Sequence, residues 1–414
     1  MHLKLLITLL FGLLIILPVF SQDSTKIKDL EKRIKILEEK ITREELQKLH
    51  EEAETAAREK KEEKKSKTFK GGQRSLQAIN PEISITGDMY GLYIANADHF
   101  TEELRSGAHF RVIGMHLQSN LDPFSLAKVA LGFTPRGFEL GEAYMTLTRV
   151  LPSVSLTLGK FRQQFGVVNR WHAHSLDQFD FPLALTTILG EEGLNQVGLS
   201  FDWLMPTFLG NANSLVVQIT NGQNEHLFSG EFFSFPAVLA HFKSYYDITQ
   251  NTYLEFGLSG MYGRNDINGY INGEKYREPR RVTYVGGVDL TLFWQPVNKA
   301  LYHSFIWRSE LYYADKELPD NGRLTVYGGY SYIEYQLNEH WQVGFRLDYT
   351  QPFEVDNQDL YTYQLVPYIT WWQSHWVKFR LQYNYLGGNT INRAENFARL
   401  QIVWAMGPHK HERY

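Results

Sequence analysis

Two pairs of histidines are spaced one residue apart, His172 with His174 and His409 with His411. Imidazoles so placed can share a transition-metal ion, but a competent site needs further donors. The chain of 414 residues contains no cysteine, and no obvious further ligand stands beside either pair in sequence. The expectation is therefore histidines that line an interface, with no metal and no cofactor. Without cysteine there are also no thiolate nucleophiles and no disulfide scaffold. No Ser-His-Asp order, paired-carboxylate motif or phosphate-binding loop stands out, so the chain reads as a protein that is not an enzyme, with no catalytic residues.

Charged residues at alternate positions of apolar stretches are more informative. Between Trp376 and Leu386, the polar set Lys378, Arg380, Gln382 and Asn384 alternates with Val377, Phe379, Leu381, Tyr383 and Tyr385. Between Trp341 and Tyr349, Arg346 and Asp348 alternate with Val343, Phe345 and Leu347, and near the end Arg399 and Gln401 oppose Leu400, Ile402 and Trp404. A period of two puts each polar set on one face of a strand. The chemistry available to such a face is electrostatic: it can attract, orient or exclude charged solutes.

The same alternation recurs along most of the chain. Sixteen strands are expected at 83–94, 107–118, 125–133, 138–149, 153–163, 195–204, 213–221, 237–248, 251–263, 281–295, 303–314, 324–337, 341–351, 361–373, 376–387 and 396–407. A soluble sandwich would turn the apolar faces into a core, whereas a membrane barrel turns them toward lipid and the polar faces toward a lumen. Aromatic residues make up 14% of the chain, with 26 Phe, 24 Tyr and 9 Trp, and they cluster at strand ends as in membrane-interface girdles. Strands of about 9–14 residues suit a tilted span better than a sandwich. Full charges at mid-strand point the same way. The expected fold is all-β: a transmembrane antiparallel barrel of about 16 strands over 83–414. Its sheet must close, because lipid offers no partner for a free backbone N–H or C=O. A net charge of −4 gives no reason to expect nucleic acid.

Upstream of the barrel the composition changes twice. Residues 1–21 have a basic start, an apolar run from Leu5 to Phe20 and a Ser21–Gln22 junction, the pattern of a cleaved signal peptide, with a retained anchor as the alternative. Over 22–65, Ile27, Leu30, Ile34, Leu37 and Ile41 follow the a/d spacing of a coiled-coil helix. Such a stripe implies a partner, most simply further copies of the chain, or else a solitary charged helix. Residues 66–82, with Gly71 and Gly72, read as a linker. Short turns at 151–152 and 374–375 alternate with longer connections, which places both termini in the periplasm and the longer loops outside.

The longest connection, about 164–196, needs a reason to exist. It brings Arg170, His172, His174, Asp177, Asp180, Glu191 and Glu192 together with Trp171, Phe179, Phe181, Leu183, Leu185, Ile188 and Leu189. Folding into the lumen would bury those apolar groups and constrict the pore; packing on the rim or on a neighbouring subunit is the alternative.

On this architecture, on the passage Gly159-Lys160-Phe161…Phe165-Gly166 and on the ending Phe397 to Gly407, the chain resembles outer-membrane porins related to the phosphate-selective O and P family, in particular members with an N-terminal periplasmic coiled coil. The resemblance implies trimers in outer-membrane lipid and passive uptake of small, often anionic solutes. The sequence has no dense Lys/Arg ladder, which departs from a phosphate-specific pore. An envelope tether acting through the coiled coil, or a metal-linked outer-membrane receptor, is the alternative function.

If apolar faces look at lipid, the lumen receives Arg111, Lys128, Lys243, Arg308, Arg346, Lys378, Arg380 and Arg399, with Asp88, Glu142, Asp202, Glu255, Asp289, Glu310 and Asp348. Arg111 shares the parity of Ile113, Met115 and Leu117 and fits least well. Lys160 and Arg162 share the parity of Val154, Leu156 and Leu158 and are expected at the loop mouth or beyond the membrane. Arg346, Lys378, Arg380 and Arg399, with Arg111 and Lys128, form a basic wall. Facing Asp177, Asp180, Glu191 and Glu192 across the lumen, it would set up a transverse field.

Overall fold

The computed structural model describes residues 81–407 apart from 97–104, 223, 225–226, 229–234, 266–267, 272–273, 278–280, 319–321, 355–356 and 358. The expected signal peptide, the coiled coil, the linker up to residue 80 and the pair His409/His411 lie outside the described residues.

Sixteen strands close into one antiparallel barrel. They are β1 (Glu82–Asn96), β2 (Gly107–Asp122), β3 (Ser125–Thr134), β4 (Gly137–Leu151), β5 (Val154–Arg162), β6 (Asn195–Met205), β7 (Ala212–Thr220), β8 (Ala237–Thr249), β9 (Thr252–Asn265), β12 (Arg281–Trp294), β13 (Ser304–Glu317), β14 (Arg323–Gln336), β15 (Trp341–Thr350), β16 (Thr362–Ser374), β17 (Val377–Gly388) and β18 (Glu395–Met406). Between β9 and β12 the chain leaves the wall as a short hairpin, β10 (Asn268–Ile271) with β11 (Glu274–Arg277). Every expected strand is present. The barrel shuts by pairing β1 with β18, from Ile85 opposite Met406 to Ile94 opposite Phe397. No barrel strand is left with an unpaired edge, which is what a sheet in hydrocarbon requires.

The side chains are sorted in the reverse of a soluble domain. Along β15, Phe345, Leu347 and Tyr349 are exposed on the outside, while Arg346 and Asp348 between them are fully buried. Along β17, Leu381 is 51% exposed and its neighbour Gln382 is 0% exposed. Leu311, Tyr327, Ile333 and Leu400 continue the outward apolar surface. Surface of this extent and chemistry is stable only against an apolar partner. Connections at 123–124, 152–153, 250–251, 337–340 and 375–376 are tight, and most of those at the opposite end are longer.

Candidate functional site

The connection between β5 and β6 runs from 163 to 194 and is built from two 3₁₀ turns, Val168–Arg170 and Ala173–Ser175, and a helix α1, Leu183–Leu189. Ala184, Leu185, Ile188 and Leu189 are buried on one side of α1. They share a core with Tyr312 and Ala314 of β13 and with Leu324, Val326, Tyr330 and Tyr332 of β14. These two strands break the outward-apolar rule, carrying apolar and aromatic groups on the inward face as well. Gly328 in β14 makes room: a Cβ there would sit 3.0 Å from Ala184 and from Ile188.

Polar contacts tie the segment to the barrel wall. Gly166 donates its N–H to Ser259 at 2.9 Å, and the N–H groups of Val167 and Val168 donate to Glu310 at 3.1 and 3.0 Å. Tyr312 and Tyr330 hydroxyls complete the shell of Glu310. Farther along, Arg346 donates to the Asp180 carboxylate at 2.8 Å and Arg399 to its other oxygen at 2.9 Å. Burial by itself would raise the Asp180 pKa, but the two guanidiniums overcome it and hold the carboxyl at about 2. Tyr332 donates to Asp177, with Arg308 3.7 Å away. Arg380 and Lys378 donate to the carbonyls of Leu176 and His174.

The basic wall and the acidic segment therefore meet, but not across open water. Asp177 and Asp180 are in contact with their cations, so those opposed charges neutralise one another rather than spanning a gap. Glu191 and Glu192 lie exposed beyond α1, and the Glu192 carbonyl accepts from Arg162. Lys128 lies 3.8 Å from Glu142.

Arg111 was expected in the lumen against its parity, and the register explains how it gets there. The β1–β2 register shifts between Asp88 and Met89, whose partners are Val112 and Phe110, and Arg111 is the residue skipped. A bulge of this kind re-aims a side chain. Its guanidinium reaches Asp88 at 3.3 Å and the Phe179 carbonyl at 2.7 Å. Phe179 lies under two guanidiniums, 4.4 Å from Arg111 and 4.6 Å from Arg399.

Two recesses remain beside the segment. One, of about 350 Å³, is lined by Glu142, Tyr144, Arg162, Arg170, Asp202 and Gln218 among others. The second, about 220 Å³, is lined by Arg111, His116, Glu139, Arg162, His172 and His174 among others. Arg162 borders both and donates to the carbonyls of Asn169 and Glu192. Arg170 is turned by Gln164. His172 bonds Glu142 at 2.9 Å; burial lowers its pKa, and Glu142 only partly opposes that. His116, which spacing did not single out, packs against both His172 and His174.

No protein-family model matches the chain. An uncharacterized protein of Aquifex aeolicus (strain VF5) is 30% identical over 219 residues, covering 48% of this chain and 45% of that protein. The chain thus spans about half the length of the curated relative it matches. Similar solved structures are outer-membrane proteins. The trimer form of OmpT, an outer membrane protein of Vibrio cholerae, has a TM-score of 0.53 at 8% identity, covering 79% of this chain and 99% of that one. The anion-selective porin from Comamonas acidovorans gives 0.52 at 10%, with the same coverage of 79% and 99%. The outer membrane channel DcaP of Acinetobacter baumannii gives 0.51 at 11%, covering 79% and 96%. At these identities the likeness is one of fold: a sixteen-stranded closed barrel of the kind that outer-membrane porins share.

Proposed function

We propose that this chain is an outer-membrane porin through which small hydrophilic solutes and ions diffuse passively, and that residues 163–194 narrow its lumen. One observation carries the reading: on a sheet with no open edge, leucine, tyrosine and phenylalanine face out while arginine, lysine and aspartate face in. Such a wall is stable with hydrocarbon outside and water inside.

The narrowing is supported by the contacts of the segment, which run to inward side chains of β2, β9, β13, β14, β15, β17 and β18. In this reading Arg111, Arg308, Arg346, Lys378, Arg380 and Arg399 mainly hold the segment in place. Solute meets the recess residues: Lys128, Arg162 and Arg170 with Glu142 and Asp202. Their signs nearly balance, so ion selectivity is weak; the anion selectivity named for the Comamonas protein is not carried over. By analogy with the trimer form of OmpT, the chain assembles as a homotrimer. A periplasmic coiled coil over 22–65 aids assembly after a signal peptide directs export.

Purified protein added to a planar bilayer in asymmetric salt tests this. Stepwise conductance with a small reversal potential supports it, and a silent bilayer with folded, inserted protein refutes it. Deleting residues 22–70 should lower the yield of oligomer; an unchanged oligomer would remove the coiled coil from the account.

A further inference from the structure

The pair His172/His174 lacked a third ligand in sequence, and the fold supplies one. His116 of β2 lies with its ring centre 4.8 Å from that of His172 and 5.3 Å from that of His174, and the pair is 5.6 Å apart. A tetrahedral ion bound at about 2.1 Å by three imidazole nitrogens holds the ring centres roughly 5 Å apart. We propose that His116, His172 and His174 form a binding site for a divalent transition metal such as zinc.

The second observation concerns Glu142. Its Oε2 lies 2.9 Å from His172 Nε2. An ionised carboxylate only accepts, so the neutral His172 ring carries its proton on Nε2 and presents the lone pair on Nδ1. A carboxylate behind a histidine is the common outer shell of zinc ligands: it fixes the tautomer and raises the basicity of the ligating nitrogen. The carboxylate is itself oriented, by Lys128 at 3.8 Å and by the Arg162 N–H at 3.0 Å.

The backbone beneath the pair is pinned. Ser175 returns both its N–H and its hydroxyl to the His172 carbonyl, and Lys378 holds the His174 carbonyl. Gly114 sits in front of the rings: a Cβ there would come 2.7 Å from Thr86 Oγ1, 3.7 Å from His174 Cε1 and 3.8 Å from His116 Nε2. Among the described residues, no group of three donors already stands in place for a metal. Capture therefore requires His116 and His174 to turn about Cβ–Cγ, a broad torsion for histidine, while Glu142 holds His172; the three rings border a recess of about 220 Å³. The all-imidazole donor set suits zinc, copper or nickel and not calcium or magnesium.

The test uses the full-length protein in detergent, carrying H409N and H411N so that the second pair contributes nothing. After treatment with EDTA, ZnCl2 is titrated by calorimetry at pH 7.5. The expected result is one zinc per chain, with affinity falling at least tenfold in H116Q and in H174Q. In E142Q the expected loss is about 10–100-fold. Retained heat-resistant mobility on gels checks that each variant is folded. Absence of stoichiometric binding, or binding that survives H116Q/H172Q/H174Q together, overturns the site. Calorimetry reads binding whether or not the barrel conducts, so failure here is separate from failure of the porin reading.

Discussion

Asp180 and Arg346 stand 166 residues apart in sequence and touch twice. Arg346 Nη2 donates to the Asp180 carboxylate at 2.8 Å, and Nη1 donates to the Asp180 carbonyl at 2.9 Å. The same guanidinium binds Asp348 through Nε at 3.0 Å. The contact joins the long segment to β15 and sets how far that segment extends from its roots on β5 and β6. Removing the carboxylate in D180A leaves Arg346 with Asp348 alone as its counter-charge, so the loss should fall below the roughly 3–5 kcal/mol of a fully broken buried pair. The variant should unfold from detergent at a lower temperature and show larger, noisier conductance. Identical melting and conductance would remove Asp180 as an anchor.

The pH dependence of that anchor follows from its depressed pKa. A carboxyl held at about 2 in the fold, against its ordinary 3.8, contributes stability that is fully present above the unfolded value. That contribution is lost as pH falls through the folded one. Conductance should therefore show no loosening attributable to Asp180 between pH 7 and 4, with the change arriving near pH 2. A transition near pH 5 that disappears in D180N would contradict this.

Gly166 opens the segment at a φ of +60°, and a side chain there would run into the Glu310 carboxylate. G166A meets both the left-handed backbone and the glutamate that receives Val167 and Val168. A cost of roughly 1–3 kcal/mol is expected from the backbone alone. Protease nicking of the segment in G166A, with wild type resistant, is the result to look for.

The outer face gives an independent prediction. Leu347 faces out, 46% exposed, between the inward Arg346 and Asp348. L347R should destabilise the barrel in lipid by about 2–4 kcal/mol if the site lies near the bilayer midplane. The measure is urea unfolding in lipid vesicles, with folding in detergent as the comparison. Equal stability would place this face outside hydrocarbon.

Much of this was legible because a strand alternates locally. The inward places of Arg346, Lys378, Arg380 and Asp348 follow from their immediate neighbours. What alternation cannot carry is register across the lumen. That Asp180 meets both Arg346 and Arg399, so that charges expected to oppose one another instead neutralise, depends on how far a long connection reaches. Arg111 was obscured by a bulge, which reverses parity with no marker residue. The inward Leu324, Val326, Tyr330 and Tyr332 did leave a trace, since β14 is apolar or aromatic at both parities. His116 left none, for a lone histidine on a strand gains a role only from the segment folded against it.

Because the chain has no cysteine, one neighbouring pair can test the orientation of the wall. Ser200 and Phe201 are adjacent in β6; Ser200 is buried and lines the larger recess, and Phe201 is 38% exposed on the outside. S200C and F201C are each labelled with a fluorophore in lipid vesicles and probed with a quencher carried on lipid tails and with a water-soluble quencher. The lipid quencher should act at 201 and the aqueous one at 200. Aqueous quenching at 201 together with none from lipid would contradict a barrel whose apolar side faces the membrane.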